Sequence, residues 1–152
     1  MRAGMENVRD ISFPALLRAA RDTYVSAVKI ALSAASFNDI PRNGAYVIGA
    51  ISRTNAPLSD IIAALRLSKQ AAGQLVDTLV QRGYLDRATD PQDRRRLTLA
   101  LTERGREAAA VSRAAVEKLD TDVLKRVGRE HVAHTRTTLL TIAMIARERM
   151  LP

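Results

Sequence analysis

The sequence of 152 residues contains no cysteine and no tryptophan, and aromatic residues make up only 3% of it. The absence of cysteine excludes disulfides, thiolate zinc sites and thiol redox switches. The scarcity of aromatic side chains disfavours a single-stranded nucleic-acid ligand, because that mode of binding relies on rings that stack on bases. No segment reaches the length needed to span a bilayer, and the N-terminal residues lack a long apolar stretch. A cytoplasmic location is therefore expected.

What the chain does contain is an excess of positive charge. Its formal net charge is +8, with an isoelectric point near 10.7. This balance favours a polyanionic partner, and nucleic acid and an anionic membrane surface both qualify. The hydrophobic content of 47% is ordinary for a folded chain of this length, and it suffices for one compact core.

The segment from Tyr84 to Thr102 predicts a β-hairpin, because two apolar-alternating runs flank a polar turn. Asp90 and Pro91 are residues that favour such a turn. Alternation places Leu97, Leu99 and Leu101 on one face of the returning strand and Arg96, Thr98 and Ala100 on the other. Its tip carries Arg94, Arg95 and Arg96. Such a basic finger suits a groove lined with phosphate, and a solvated turn without a ligand is the alternative.

Two short helices are predicted before the hairpin. The first spans Pro57–Leu65, with Ser59 as its cap, and the second begins after Ser68 and runs to about Arg82, where Gly83 stops it. The second helix has an apolar stripe formed by Ala72, Leu75, Val76, Leu79 and Val80. Its other side carries Lys69, Gln70, Gly73, Gln74 and Asp77. Helix, turn, helix and basic hairpin, in this order, are typical of a winged helix-turn-helix that binds double-stranded DNA.

The same residues resemble the MarR (multiple-antibiotic-resistance regulator) family of transcription factors. The resemblance covers about Leu58–Arg106, and its most distinctive part is D-P-Q-D-R-R-R-L-T-L-A-L-T-E-R-G. It implies that Arg95 enters the minor groove, that Asp93 pairs with this arginine and holds it extended, and that Arg94 and Arg96 contact phosphates. It also implies a homodimer in which the first and last helices intertwine.

The second helix departs from the family pattern at two positions. Many members have Ser or Thr where this chain has Gly73, and Arg where it has Gln74. Because glutamine prefers adenine and arginine prefers guanine, a more adenine-rich half-site is one interpretation. Closer approach to the DNA backbone at Gly73 is another, and ordinary exposed surface at Gln70 and Gln74 is a third. The predicted DNA-binding set is Ser68, Lys69, Gln70, Gly73, Gln74, Arg94, Arg95 and Arg96.

The flanking segments predict further helices. One runs from Ser12 to about Ser36 with Pro14 in its first turn, and Pro41 opens another that ends near Ile51. Thr102 caps a long helix that Gly128 interrupts, and a last helix spans about 129–149. The resulting fold class is mainly α with a small β-hairpin wing, a winged helix-turn-helix plus a helical dimerisation layer. The predicted parts are 11–55 and 102–152 for dimerisation and support, and 56–101 for DNA binding.

A ligand site is expected from the resemblance, since members of the family often bind small aromatic or phenolic compounds beside the dimerisation helices. Tyr24, Phe37 and Tyr46 are the candidate lining residues, and core packing is the alternative role for them. Arg18 and Arg21 are candidates to pair with a carboxylate, and exposed helix charges are the alternative.

Catalysis is not expected. His131 and His134 lie next to Glu130, one helical turn apart, but a pair of histidines without a third ligand does not make a metal site. No nucleophile elbow and no glycine-rich phosphate loop occurs. The sequence predicts neither cofactor nor metal.

The predicted function is that of a homodimeric regulator, a repressor that a small molecule releases from a palindromic operator. Two alternatives remain open. One is a sequence-tolerant architectural DNA-binding protein, and the other is a protein-interaction module that has lost operator binding.

Overall fold

A computed structural model describes residues 10–53, 62–63, 65, 67–89 and 97–148. The described part is mainly helical and holds one two-stranded antiparallel sheet, which confirms the predicted fold class of a winged helix. Its elements in chain order are α1 (Phe13–Ala34), α2 (Gly44–Arg53), α3 (Lys69–Gln81), β1 (Leu85–Thr89), β2 (Leu97–Leu101) and α4 (Glu103–Glu148).

Helix α1 has the predicted spacing of apolar residues, but few of these side chains are buried. Ser12 is the N-cap residue by its extended backbone, although its side chain makes no capping hydrogen bond, and Pro14 lies in the first turn. Proline is tolerated there because the first helical N–H groups have no partner within the helix. Of the 22 residues of α1, Leu32 alone is buried within the chain. Several large apolar side chains of α1 are therefore exposed within the chain: Phe13, Leu16, Leu17, Val25 and Ile30.

The predicted start of α2 was wrong by three residues. Pro41 precedes a tight turn, in which the Gly44 amide donates to the Pro41 carbonyl at 2.8 Å, and the helix begins only at Gly44. Asn43 has a φ of 65°, a left-handed conformation that cannot belong to a right-handed helix and that asparagine tolerates better than most residues. A Cβ at Gly44 would lie 2.9 Å from Cγ2 of Ile40, so the turn also requires a residue without a side chain.

Helix α3 matches its prediction closely. Ser68 is the N-cap and its Oγ accepts from the Ala71 amide at 3.2 Å, which satisfies one of the free donors of the first turn. At the other end Gly83 has a φ of 71° and ends the helix in the manner expected of glycine. The preceding helix, predicted over Pro57–Leu65, falls largely outside the described residues; Ile62 and Ala63 are helical.

The hairpin pairs β1 with β2 in antiparallel register, from Leu85 opposite Leu101 to Thr89 opposite Leu97. Leu99 and Leu101 are partly buried against the core, and Ala100 between them is exposed, which confirms the predicted alternation at these three positions. The core itself joins the end of α1, α2, α3, β1 and the first turns of α4. Its buried members are Leu32, Val47, Ile48, Ala50, Leu75, Leu79, Tyr84, Leu85, Ala108 and Ala109.

Helix α4 begins after Thr102 and is interrupted at Gly128, as predicted. Gly128 has φ 83° and ψ 166°, which lies outside helical geometry. By its internal contacts the chain divides into two units, Met1–Val116 and Glu117–Pro152. The first holds the core and every site described below except the histidines. The second is helical, and many of its apolar side chains are exposed within the chain.

Candidate nucleic-acid interface

Helix α3 presents a polar surface that is held from behind by the core. Ala72, Leu75, Val76 and Leu79 are buried, which fixes the rotation of the helix about its axis. The opposite side is exposed, as predicted, and consists of Lys69, Gln70, Gly73, Gln74 and Asp77. Lysine and glutamine side chains of this kind can contact phosphates and the hydrogen-bonding edges of bases.

An ion pair ties this helix to the wing. Arg87 on β1 donates from its guanidinium to Asp77 Oδ1 on α3, at 2.5 Å. Both side chains are more than half exposed, so the pair contributes little to the free energy of unfolding. Its effect is geometric, because it neutralises the one carboxylate on the exposed side of α3 and connects that side with the hairpin. Nothing in the sequence indicated this contact.

The tip of the wing lies outside the described residues. This covers Asp93, Arg94, Arg95 and Arg96, whose predicted contacts with DNA stay predictions. The strands that carry the tip are described up to Thr89 and from Leu97 onward, and they place its two ends opposite each other in the register.

The base of the wing is closed by Thr102 and Gly105. The Thr102 hydroxyl donates to the Gly83 carbonyl at 2.6 Å and accepts from the Gly105 amide at 2.9 Å, so it caps α4 and joins it to the end of α3. A Cβ at Gly105 would lie 2.1 Å from the Tyr84 carbonyl oxygen, a distance that no side chain permits. The spacing Leu-Thr-x-x-Gly after the hairpin thus has a physical reason in this close approach.

Beside it lies a junction of four residues, Asp39, Arg82, Tyr84 and Arg104. The buried Tyr84 donates its hydroxyl hydrogen to Asp39 Oδ1. Arg104 donates to the same carboxylate oxygen at 2.8 Å and to the Tyr84 hydroxyl at 3.1 Å, and its guanidinium lies 4.5 Å from the centre of the tyrosine ring. Arg82 donates to the backbone carbonyl of Asp39. The junction joins the α1–α2 loop to the ends of α3 and α4.

The electrostatics of the junction follow from these contacts. The hydrogen bond from the Tyr84 hydroxyl is the largest effect on Asp39 and lowers its pKa; burial, the next largest, opposes it, and the guanidiniums of Arg104 and Arg82 add to the lowering. Burial, and then the hydrogen bond to Asp39, raise the pKa of Tyr84. Asp39 is thus a carboxylate and Tyr84 a neutral donor near neutral pH. The role of Asp39 could not be read from the sequence, since its partners are 45 and 65 residues away.

A cleft of about 830 Å³ opens on another side of the first unit, between α1, α2 and α4. Tyr24, Phe37 and Tyr46 all contribute to its wall. The structure thus brings together the three candidate ligand residues, of which Tyr46 is the most exposed at 46%. Arg21 also lines the cleft, and Arg18 is not among the lining residues. Phe37 packs with Tyr84 as well, their ring centres 6.2 Å apart.

The charge of this cleft has one sign. Among the described residues that line it there is no carboxylate, whereas five carry a positive charge: Arg21, Lys29, Arg42, Arg53 and Arg113. All five are exposed, and Arg21 also pairs with its neighbour Asp22 at 3.4 Å. Their positive charges raise the local potential for an anion, which the sequence alone did not reveal because they come from three helices and a loop.

His131 and His134 are exposed on α4. In the described part of the chain no group of three or more His, Cys, Asp or Glu side chains is placed to hold a metal ion. The described helices include none that is long and apolar enough to cross a membrane.

The comparisons with known proteins agree with the geometry. A family model described as the MarR family matches residues 38–96. An uncharacterised HTH-type transcriptional regulator of Bacillus subtilis (strain 168), YdcH, is 40% identical over 47 residues, which are 31% of this chain and 32% of that protein. The match thus spans about a third of the curated relative's length.

Solved structures show a similar fold over most of the chain. The S. aureus MepR–DNA complex has a TM-score of 0.70 at 17% identity and covers 89% of this chain and 98% of its own. Streptococcus pneumoniae FabT in complex with DNA has a TM-score of 0.73 at 19% identity, covering 88% and 94%. S. aureus MepR bound to ethidium bromide has a TM-score of 0.58 at 16% identity, covering 91% and 99%.

Proposed function

We propose that this chain, whose residues 38–96 match a model of the MarR family of transcription regulators, is a member of that family and acts as a homodimeric repressor that a small organic ligand releases from double-stranded DNA. The family consists of transcription factors rather than enzymes. The observation that carries the proposal is the polar side of α3, which is exposed while the opposite side is buried in the core. We place the protein in the cytoplasm, where its DNA would lie.

In the proposed complex α3 enters the major groove. Gln70 and Gln74 contact base edges, Lys69 contacts phosphate, and Ser68 lies at the N-terminal end of the helix beside the backbone. The MepR and FabT structures of similar fold are DNA complexes, which supports DNA as the ligand of this chain. Since glutamine pairs best with adenine, we expect adenine at one or more contacted positions of the half-site.

The wing supplies the second contact. Arg95 is proposed to enter the minor groove, Asp93 to hold it extended, and Arg94 and Arg96 to bind phosphates. The strands that lead to these residues are anchored at their base by Thr102 and by the Asp77–Arg87 pair. Phosphate contacts of this kind release counterions, so the affinity for DNA should fall steeply with salt.

The homodimer is supported by apolar side chains that the single chain leaves exposed. In α1 these include Phe13, at 62%, and Ile30, at 70%; after Gly128 they include Leu140, at 65%, and Met144, at 60%. Exposed apolar side chains in this number mark surfaces that bind another protein. A second copy of the chain is the proposed partner, and its two-fold symmetry would match a palindromic operator.

The cleft is the proposed effector site. MepR bound to ethidium bromide shares the fold, and here Tyr24, Phe37 and Tyr46 offer rings to an aromatic compound. The five positive charges and the absence of a carboxylate among the described lining residues favour an anion, such as an aromatic carboxylate or a phenolate. Such a ligand would release DNA by binding preferentially to a conformation whose DNA-binding elements no longer fit the two grooves.

Fluorescence anisotropy tests the proposal directly. The purified protein is titrated onto a labelled duplex from upstream of its own gene and onto an unrelated duplex of the same length, across a salt series. We expect preference for the upstream duplex by about a hundredfold or more and a steep fall of both affinities with salt. Equal affinities at every salt concentration would instead support the architectural alternative. Absence of binding at low salt would refute DNA binding and favour the interaction module.

A further inference from the structure

Consecutive residues of the loop between α1 and α2 contact two different parts of the molecule. Asn38 and Ile40 line the cleft. The residue between them, Asp39, instead directs its carboxylate to Tyr84 and Arg104, and its carbonyl oxygen accepts a hydrogen bond from Arg82. One short segment thus forms part of the cleft wall and part of the junction at the base of the wing.

The partners of Asp39 belong to the elements that would hold DNA. Arg82 is the C-cap residue of α3. Tyr84 immediately precedes β1 and is fully buried, and Arg104 lies in the first turn of α4, with its guanidinium 4.5 Å from the Tyr84 ring centre. Tyr84 and Arg104 also contact each other, and Tyr84 packs with Phe37, so a displacement of Asp39 acts on side chains that are already held in place.

We infer that Asp39 is the positioning residue that couples occupancy of the cleft to the orientation of α3 and the wing. Consecutive Cα atoms are held about 3.8 Å apart, so a ligand that displaces Asn38 or Ile40 also displaces Asp39. The hydrogen bonds of Asp39 pass that displacement to the end of α3 and to the start of β1. The inference rests on the proposed function, since it takes α3 and the wing as the DNA-binding elements.

Coupling between two sites is reciprocal, so DNA must affect the cleft as strongly as a cleft ligand affects DNA binding. The coupling can therefore be measured by adding DNA and observing the cleft, without knowing the ligand. The chain has no tryptophan, and Tyr46, on the cleft wall, is 46% exposed and makes no described contact with the junction. A Tyr46→Trp substitution therefore gives a single emission signal from the cleft.

The experiment uses the full-length protein with Tyr46→Trp as the background. Binding of DNA is followed by the anisotropy of a labelled upstream duplex, and the cleft is followed by tryptophan emission in the same titration. We expect saturating DNA to change the emission. Adding Asp39→Asn should abolish most of this change while the duplex still binds. Asp10→Asn is the matched control: it makes the same chemical change at an exposed residue before α1, and it should preserve the emission change.

A structural role for Asp39 alone would lower the melting temperature and leave the emission change per bound duplex intact, and that result would overturn the inference. If the emission of the Tyr46→Trp protein does not respond to bound DNA, the inference is overturned too, while the proposed function is unaffected. If no duplex binds, the proposed function fails and the inference fails with it. Should Asp39→Asn not fold, Tyr84→Phe removes the same hydrogen bond while retaining the buried ring, and it must likewise abolish the response.

Discussion

Gly73 lies in the middle of α3 on its exposed side, and no atom lies within 4 Å of the position that a Cβ would occupy. The protein therefore gains no packing from the missing side chain at this position, while glycine in a helix interior costs about 1 kcal/mol relative to alanine. We predict that Gly73→Ala raises the free energy of unfolding by about that amount. If DNA approaches α3 closely at this residue, the added methyl group also weakens DNA binding several-fold. Thermal unfolding and duplex anisotropy measure the two effects.

Thr121→Ala serves as a control for the gain in helix stability. Thr121 is exposed on α4, and its hydroxyl donates only to the Glu117 carbonyl one turn earlier. This substitution should also favour the helix, and it should leave the affinity for DNA unchanged. An unchanged or higher affinity in Gly73→Ala would show that the surface of α3 at Gly73 is not in close contact with DNA.

The pKa of Asp39 is lowered, chiefly because the Tyr84 hydroxyl donates to its carboxylate and further because Arg104 lies beside it. A carboxyl group whose pKa is lower in the folded state stabilises the fold above its unfolded pKa, near 3.8, and loses this contribution as the pH falls through the folded pKa. We predict that Asp39→Asn lowers the melting temperature by a constant amount above about pH 5 and that the difference shrinks below the unfolded value. A difference in melting temperature that stays the same even at the lowest pH at which both proteins fold would contradict this.

At the scale of elements, the sequence predicted what depends on local chemistry. The polar and apolar sides of α3 follow from helical spacing, its ends from Ser68 and Gly83, and the break in α4 from Gly128. The start of α2 was missed because it depends on the left-handed backbone of Asn43, which the sequence permits without requiring. The junction around Asp39 was missed for another reason: its residues meet only after the core has formed, and nothing in their spacing indicates it.

The wing is the element whose predicted role most needs a direct test. We predict that Arg95→Ala weakens binding to the specific duplex by about 1–3 kcal/mol and leaves dimerisation intact, because one minor-groove contact is lost while the helices are untouched. Anisotropy and analytical ultracentrifugation measure the two properties. Asp93→Ala should act in the same direction but less strongly, since it removes only the orientation of the arginine.

Arg126→Ala provides the control for net charge, because Arg126 is an exposed arginine of α4 remote in sequence from the wing. It lowers the charge of the chain by the same amount and should weaken DNA binding only slightly. Equal losses in Arg95→Ala and Arg126→Ala would mean that general charge, rather than a placed wing arginine, determines the affinity.

At the scale of the molecule, the two units differ in how completely they bury their apolar side chains. The first has a buried core that includes residues with no exposed surface, such as Val47, Ile48 and Leu79. In the second, apolar side chains such as Leu124, Val127 and Leu139 stay between 37% and 46% exposed. Apolar surface left in water contributes nothing to stability. A helical unit of this composition is therefore expected to be stable only when another surface covers it, which links the folding of this unit to dimerisation.

The proposed dimer can be tested by a substitution that adds a positive charge to its interface. That charge alone would strengthen DNA binding, whereas loss of the dimer should weaken it. Leu140 is 65% exposed in the single chain, and Leu140→Lys would bury an ammonium group in the proposed interface at a high desolvation cost. We predict that it shifts the protein from dimer to monomer in analytical ultracentrifugation and weakens binding to the palindromic duplex. Its added positive charge alone would strengthen the attraction to DNA, so weaker binding must come from the lost second subunit. Thr135→Lys adds the same charge at an exposed polar position on the side of the helix opposite Leu140 and Met144, and it should leave the dimer intact. A Leu140→Lys protein that remains dimeric would exclude this side chain from the interface.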